Sequence, residues 1–135
     1  MICLDTSAIL DALGKGGPAR QQDVAALLRR LNPTKPCCTT RINVAELQIG
    51  AELSPHPFSE YQMIDDFLQT LNVLEFDRSS ALAYVKIFVH LRRIGRPVGD
   101  RDAIIASIAL SNNCTFITRN VRHFENVPAL MMESY

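Results

Sequence analysis

The stretch PVGDRDAIIASIA, residues 97–109, places two carboxylates, Asp100 and Asp102, directly before a run of apolar and small side chains. Proline and glycine ahead of the acids end the preceding helix, and acids suit the first turn of a new helix because they complement its dipole. Small residues further along allow close packing against a sheet. We therefore predict a buried helix that begins at Asp100. The two acids could serve that helix only as local caps, or they could belong to a functional site.

Working outward from this stretch, short apolar runs alternate with helical patterns. The predicted strands are residues 2–4, 36–40, 73–76 and 114–118, with an edge strand at 129–132. The other predicted helices are residues 8–13, 19–31, 43–53, 58–71 and 80–94, and the helix from Asp100 stops near Asn112. Apolar strands that alternate with helices indicate a parallel sheet covered on both faces. The predicted fold class is α/β, with three layers α/β/α, a mainly parallel sheet of four to five strands, and one domain over residues 1–135.

Several helix boundaries follow from capping residues. Thr6 or Ser7 can cap the first helix, and Asn32-Pro33 stops the second. Asn43 opens the helix 43–53 and stands three residues before Glu46, which approximates the spacing of a capping box. Glu46 therefore has two interpretations: a carboxylate folded back on the helix backbone, or a member of an acidic site.

The composition is that of a globular protein, with 47% hydrophobic and 21% charged residues. No apolar run approaches the roughly 18 residues that a membrane span needs, so we expect no membrane segment. The N-terminus lacks the features of a secretory signal. The four cysteines lie in or beside predicted strands without zinc-site spacing, which favours reduced core thiols and a cytoplasmic location. These cysteines are Cys3, Cys37, Cys38 and Cys114.

Net charge is zero, but the charges are unevenly distributed. Residues 15–41 carry six basic side chains and one acid, and residues 44–77 carry seven acids without Lys or Arg. Residues 86–123 hold seven Lys or Arg and two acids, which are Asp100 and Asp102. An acidic pair inside a basic segment is typical of a site where phosphates meet a cation. Solvated helices of differing sign would produce the same pattern.

Oxygen-bearing side chains stand at the ends of four predicted elements: Asp5 after the first strand, Glu46 and Asp102 on helices, and residues 118–120 after a late strand. Ligands of parallel α/β sheets bind beyond the carboxyl ends of the strands. Converging carboxylates repel one another unless a cation neutralises them. Oxygen ligands without His or Cys favour Mg²⁺ or Mn²⁺, and these ions commonly bind phosphate esters. The pattern therefore predicts metal-assisted phosphoester hydrolysis.

These motifs resemble the PIN-domain family, and most closely the VapC-like ribonuclease toxins of type II toxin–antitoxin systems. The matching segments are LDT (4–6), VAEL and GA (44–47 and 50–51), LRRIG, PVG and DAIIA (91–95, 97–99 and 102–106), and TRN (118–120) with Phe124. The resemblance covers nearly the whole chain in order. Each motif is weak alone, whereas the four in sequence are fairly specific.

By this resemblance, Asp5, Glu46 and Asp102 match the three family acids, as catalytic residues and ligands of Mg²⁺ or Mn²⁺. Asp100 and Asn120 are auxiliary candidates at the metal. The hydroxyl side chains expected beside the acids are Thr6, Ser7 and Thr118. The arginines expected to hold RNA phosphates are Arg92, Arg93, Arg96, Arg101, Arg119 and Arg122. The resemblance also implies a cognate antitoxin protein that inserts a segment near the acids.

The chain departs from the family pattern at two of these positions, and at a third, Asn120, it has one of the two residues that the family carries, Asp or Asn. Ser7 stands where the family often has Asn, and Asp100 stands where related toxins often carry an uncharged residue. Asn120 cannot supply the negative charge that an Asp there would bring to a second metal. Because residues two apart on a helix do not share a face, we predict that Asp102 rather than Asp100 points into the site.

The function expected from these observations is a divalent-metal-dependent endoribonuclease, the toxin of a toxin–antitoxin pair. A metal-dependent phosphatase with Asp5 as nucleophile is an alternative, but it needs a Lys near the phosphate, and Lys15, Lys35 and Lys86 lie outside the motifs. A non-catalytic PIN-like RNA- or protein-binding domain is a second alternative, which the intact acids disfavour. Aromatic residues in the acidic segment 58–71 also suggest a homodimer; they are Phe58, Tyr61 and Phe67.

Overall fold

The computed structural model describes residues 1–31 and 34–135. The strands of the described residues are β1 (Ile2–Leu4), β2 (Cys37–Thr40), β3 (Asn72–Leu74), β4 (Thr115–Ile117) and β5 (Met132–Glu133). The helices are α1 (Thr6–Ala12), α2 (Pro18–Leu31), α3 (Arg41–Glu52), α4 (Pro57–Leu68), α5 (Arg78–Arg93), α6 (Asp100–Ser111) and α7 (Val121–Phe124). The predicted helix stop at Asn32-Pro33 lies outside the described residues.

The strands form one sheet in the order β3-β2-β1-β4-β5, and every pairing is parallel. In the central strand, Ile2 is paired with Cys37 of β2 on one side and with Thr115 of β4 on the other. The chain passes from β1 outward to β3 and then returns to the opposite side of β1 for β4. Such a reversal opens a crevice at the carboxyl ends of β1 and β4. The predicted α/β class with a parallel sheet is confirmed.

Side-chain alternation along β1 divides the core into two layers. Ile2 and Leu4 face a cluster that includes buried residues of α1, α2, α3 and α4. Cys3 points to the other face, where α5, α6 and α7 pack. On that face Phe116 and Phe124 meet edge to face with ring centroids 4.8 Å apart. Because successive strand residues point to opposite faces, even a three-residue strand serves both layers, as the predicted three-layer arrangement requires.

The organising helix α6 begins at Asp100, as predicted, and it is buried along most of its length. Its N-cap residue is Gly99, and no side chain caps the helix there. The interpretation of the two acids as mere caps therefore has no support from the hydrogen bonding. The buried residues of this helix are small or apolar: Ala103, Ile105, Ala106, Ser107, Ile108 and Ala109.

Three predicted helix starts are two residues too late, because α1, α3 and α5 begin at Thr6, Arg41 and Arg78 rather than at residues 8, 43 and 80. Helix α3 begins at Arg41 rather than Asn43, because Thr40 is its N-cap and exchanges hydrogen bonds with Asn43 in a capping box. Glu46 is therefore not the capping carboxylate. Thr6 and Ser7 do not cap α1 but lie inside it, and Asp5 occupies the N-cap position without a capping hydrogen bond from its side chain.

The C-terminal segment also differs from the prediction. The edge strand is Met132–Glu133 rather than residues 129–132, because Ala129 has a φ of 62°, which is incompatible with a strand. The short helix Val121–Phe124 was not predicted, since four residues are too few to show a helical period.

The prediction that the cysteines are core residues is confirmed for Cys3, Cys38 and Cys114, which are buried free thiols. The Sγ atoms of Cys38 and Cys114 lie 3.7 Å apart, and this contact together with burial raises the pKa of the Cys38 thiol to about 12. Cys37 is half-buried. None of the helices in the described ranges is long and apolar enough to cross a membrane.

Candidate active site

A pocket of about 390 Å³ lies at the carboxyl edge of the sheet. All three predicted acids, Asp5, Glu46 and Asp102, line it, although they come from the end of β1 and from helices α3 and α6. The other predicted site residues that line the pocket are Thr6, Ser7, Asn120, Arg101 and Arg119. The fold therefore assembles residues separated by more than a hundred positions in the chain.

Asp5 is the most enclosed of the three acids, with 4% of its surface exposed. Its Oδ2 accepts hydrogen bonds from Thr118 Oγ1 at 2.7 Å and from Ser7 Oγ at 3.1 Å. Its Oδ1 accepts from Asn43 Nδ2 at 3.0 Å. Donors on both oxygens fix the orientation of the carboxylate at the end of β1. Thr118 thus stands beside the acid as the resemblance implied, and Ser7, which departs from the family pattern, also donates to Asp5.

Asn43 is a site residue that the sequence analysis missed. Its side chain is fully buried, and Nδ2 donates both to Asp5 and, at 3.0 Å, to Thr6 Oγ1. Its Oδ1 accepts from Thr40 Oγ1 at 2.7 Å, which fixes the direction of the amide. The available indication was that Asn43 precedes Glu46 by three residues, a spacing that puts both on one helix face.

Glu46 is linked to the same network from the opposite side. Its Oε2 accepts the hydrogen bond of Thr6 Oγ1, and its Oε1 lies 3.6 Å from Nη1 of Arg101. Asn43 and Thr6 therefore connect the carboxylates of Asp5 and Glu46 through hydrogen bonds. The Arg101 side chain of this ion pair is largely exposed, so the contribution of the pair to stability is small.

Asp102 enters the pocket from the first turn of α6. Its Oδ2 lies 3.0 Å from Nδ1 of His123, a residue that the sequence analysis did not single out. The position of His123, three residues after Asn120 in the segment that follows β4, was the available indication. Asp100 is exposed and is not among the residues that line the pocket. The two acids point in different directions, as the helical spacing predicts.

The segment after β4 closes the site. Thr118 is buried, and its Oγ1 accepts a hydrogen bond from the backbone N–H of Asn120 while donating to Asp5. Asn120 lines the pocket and occupies the N-cap position of α7 without a side-chain cap, so its amide is not used by that helix.

The predicted arginines divide into three groups: two in the pocket, two in an adjoining cleft, and two outside both. Arg101 and Arg119 line the pocket itself. Arg96 and Arg122 line an adjoining cleft of about 580 Å³ that shares Asp102 and His123 with the pocket. Arg92 instead lines a separate apolar pocket with residues of α5 and α6, and Arg93 is exposed at the end of α5. The described lining of the acidic pocket contains none of the three lysines, which disfavours the phosphatase alternative.

The donor set suits a hard cation, because the three acids offer only oxygen. Within residues 1–31 and 34–135, however, no three His, Cys, Asp or Glu side chains are arranged as a ready metal site. Glu46 is turned to Thr6 and Arg101, and Asp102 is turned to His123. Mg²⁺ commonly binds through one or two carboxylates and keeps several waters, so the chemistry of the pocket fits this ion without three converged ligands.

A five-stranded parallel sheet with acids at its switch point defines a class of α/β domains, and comparison with known proteins identifies which one. The PIN domain family model matches residues 2–130, and the chain belongs to the PIN-domain family.

Two proteins that this chain is similar to are named VapC nucleases. Ribonuclease VapC2 of Haemophilus influenzae is 36% identical over 98 residues, 73% of this chain and 74% of the relative. The tRNA(fMet)-specific endonuclease VapC of Salmonella typhimurium is 34% identical over 102 residues, 76% of this chain and 77% of the relative.

Solved structures agree with this assignment. VapBC-1 from nontypeable Haemophilus influenzae superposes with a TM-score of 0.87 and 32% identity, covering 99% of this chain and 98% of the other. VapBC2 from Rickettsia felis, bound to a DNA fragment from its promoter, has a TM-score of 0.85 and 26% identity, covering 100% of this chain and 99% of the other.

Proposed function

We propose that this protein is a divalent-metal-dependent endoribonuclease that acts as the toxin of a toxin–antitoxin pair. The observation that carries the proposal is the meeting of Asp5, Glu46 and Asp102 in one pocket. Membership of the PIN-domain family and the VapC names of the relatives support the same activity. The reduced thiols and an RNA substrate favour action in the cytoplasm.

Asp5 and Asp102, with Glu46, would hold Mg²⁺ or Mn²⁺, and Asn120 is an auxiliary candidate, whereas Asp100 lies outside the lining of the pocket. The bound ion would lower the pKa of water and stabilise charge on the phosphate oxygens. Asp5 contributes a carboxylate already held in place by Ser7, Thr118 and Asn43. That fixed orientation avoids reorganisation when substrate arrives.

In the hydrolysis itself, the oxygen of a water forms a bond to phosphorus and the bond from phosphorus to one ribose oxygen breaks. Glu46 would accept the proton of the water, and two observations support this role: it is partly exposed in the pocket, and it is connected to Asp5 through Thr6 and Asn43. The departing ribose oxygen takes up a proton from solvent. Arg101 and Arg119 offer positive charge to the phosphates beside the scissile bond.

RNA cleavage by the purified protein tests this proposal. Bulk tRNA, chosen because one relative is named for a tRNA substrate, should be cut with Mg²⁺ or Mn²⁺ and left intact with a chelator. Asp5→Asn should abolish the cleavage while keeping the fold. Failure to cut tRNA or messenger RNA with either ion, or equal cleavage by Asp5→Asn, would contradict the proposal.

A cognate antitoxin is the proposed protein partner, since the structural neighbours include VapBC complexes. Co-expression of this chain with the product of an adjacent short reading frame should yield a complex that cuts RNA more slowly than the free protein. Separation of the two products during purification, with full cleavage activity in the mixture, would contradict the pairing.

We also propose a homodimer, which among the three aromatic residues is now supported only by Phe58. Tyr61 and Phe67 pack partly against the core, whereas Phe58 is 83% exposed at the start of α4. Light scattering at micromolar concentration should give twice the chain mass for the parent and a lower mass for Phe58→Glu. A parent that remains monomeric would exclude the dimer.

A further inference from the structure

Three residues from distant parts of the chain meet behind the active-site pocket. Asp11 lies in the last turn of α1, Arg119 follows β4, and Tyr135 follows β5. The Tyr135 hydroxyl donates to Asp11 Oδ2 at 2.8 Å, and Arg119 Nε lies 3.1 Å from the same oxygen. None of the predicted roles of the site residues accounts for Asp11 or Tyr135.

The burial of Asp11 indicates that this cluster is more than an incidental surface contact. Only 1% of Asp11 is exposed, and a buried carboxylate is costly unless it is paired and hydrogen-bonded. Its Oδ2 has both partners, whereas the buried Oδ1 has none in the described part of the chain. A Cβ on Gly16 would stand 1.9 Å from Oδ1, so glycine is required there and closes the cluster on that side.

The tyrosine is suited to act as a permanent donor to this carboxylate. Burial and the neighbouring Asp11 raise the pKa of the Tyr135 phenol well above its ordinary value. The O–H is therefore retained throughout the physiological pH range. The same oxygen of Asp11, Oδ2, accepts the hydrogen bond of this hydroxyl and lies beside the guanidinium of Arg119.

Arg119 extends from the cluster to the pocket. Its backbone N–H donates to Ser7 Oγ at 3.1 Å, and Ser7 in turn donates to Asp5. Its side chain is 35% exposed and lines the pocket beside Asp5 and Asn120. The Nε contact with Asp11 is ionic rather than an aligned hydrogen bond. A guanidinium has further N–H donors besides Nε, and these suit a phosphate.

We propose that Asp11 and Tyr135 are positioning residues for RNA binding, which hold the guanidinium of Arg119 at the pocket so that it contacts a substrate phosphate. The inference rests on the proposed ribonuclease function. It assigns to the buried carboxylate a role that core packing does not require, because an apolar side chain of similar volume would fill the same space without an unpaired oxygen.

The first test measures binding of bulk tRNA in the presence of a chelator at several salt concentrations. Arg119→Ala should weaken binding roughly tenfold, and the slope of log K against log salt should fall by about 0.7 to 0.9. Tyr135→Phe keeps the ring and removes the donor, and it should weaken binding roughly threefold. In cleavage assays both changes should raise KM, and Tyr135→Phe should leave kcat unaltered, since it keeps the three acids and Arg119.

A second measurement separates positioning from a merely structural role. In the Arg119→Ala background, Tyr135→Phe should have no further effect on RNA affinity, because the side chain that it positions is gone. Tyr84→Phe on α5 is the matched control and should match the parent in binding. A structural role would lower the thermal stability of Tyr135→Phe and leave its RNA affinity and salt slope at parental values.

The possible outcomes are distinct. Asp11→Asn should bind RNA more weakly; tighter binding would mean that Asp11 only neutralises Arg119, and the inference would be overturned. If Asp11→Asn does not fold, the effect of Tyr135→Phe on RNA affinity, measured in the parent and in the Arg119→Ala background, tests the inference instead. A parent that binds and cuts RNA together with a Tyr135→Phe variant that matches it overturns this inference alone. A parent that neither binds nor cuts RNA overturns the proposed function as well.

Discussion

The side-chain amide of Asn43 donates a hydrogen bond to Asp5 Oδ1 at 3.0 Å, and the same nitrogen donates to Thr6 Oγ1 at 3.0 Å. One buried amide from the first turn of α3 thus orients the acid at the end of β1 and the hydroxyl that binds Glu46. The relative placement of two acids therefore depends on a neutral residue. This dependence makes Asn43 a sensitive position for both stability and activity.

Replacing Asn43 by Ala should lower the free energy of unfolding by about 1–3 kcal/mol, since buried partners lose their donor. Cleavage should fall as well, because Asp5 loses the group that orients Oδ1. Asn112→Ala is a matched control: Asn112 Nδ2 binds Ile108 O at the end of α6, far from the pocket. The control should lose stability in urea titrations and keep its RNA cleavage per folded molecule. Equal cleavage activity of the two variants would show that Asn43 does not contribute to the active site.

Asp102→Asn should separate activity from stability. The neutral side chain keeps the size of Asp102 and can still accept from His123, so the fold should persist. Cleavage should fall by about 100-fold or more, in keeping with the loss of a catalytic carboxylate. The Tm in chelator should hold or rise as repulsion among carboxylates is relieved.

The matched control for that experiment is Asp100→Asn, which removes the same charge from the same helix turn outside the pocket. Its effect on cleavage should be mild. A folded Asp102→Asn variant that cuts RNA at the parental rate would show that the proposed site is wrong.

Simultaneous replacement of Arg93 and Arg96 by Ala should weaken RNA binding. Arg96 lines the cleft that shares Asp102 with the pocket, and Arg93 is exposed nearby at the end of α5. The slope of log K against log salt should flatten by about 0.7 for each arginine that no longer neutralises a phosphate. Replacement of Arg20 and Arg29 on α2 changes the charge equally and should leave the slope at its parental value. If both double variants behave alike, net charge alone determines RNA binding.

Asp77 should stabilise α5 in a pH-dependent way. As N-cap it accepts a hydrogen bond at 2.8 Å from the backbone N–H of Ser80, and this bond lowers the pKa of the Asp77 carboxyl. Because the folded-state pKa is depressed, the stabilisation is present above the unfolded-state pKa and is lost as pH falls through the folded-state value. The Tm of Asp77→Ala should therefore lie below the parental Tm at pH 7, and the two should converge in acid.

The control for the pH experiment is Asp66→Ala, which removes an exposed acid inside α4 rather than at a helix start. Its Tm should not show the drop below the parental value that is expected of Asp77→Ala at pH 7, because Asp66 is not an N-cap. If the Tm difference between Asp77→Ala and the parent stayed constant as the pH is lowered, the N-cap hydrogen bond would be excluded as its cause.

The amino-acid sequence by itself determined the α/β class, the buried helix at Asp100 and the placement of acids at element ends. These features follow from local causes. Helical and strand periods, proline and glycine, and the polarity of a short segment act over a few neighbouring residues and are legible in order along the chain. The helix starts at Thr6 and Arg41 were misplaced because several adjacent residues were able to cap them, and hydrogen bonding to the rest of the fold selected one.

Only the tertiary structure decided which side chains meet. Asn43 and Asp5 are 38 positions apart, and Thr118 and Asp5 are 113 apart. Whether such residues touch depends on the strand order β3-β2-β1-β4-β5, which places the ends of β1, β2 and β4 side by side. Strand order is selected by the packing of the whole core, and no local pattern encodes it. For the same reason, the contacts of Asp11 with Arg119 and Tyr135 were absent from any sequence pattern and became visible only in the folded chain.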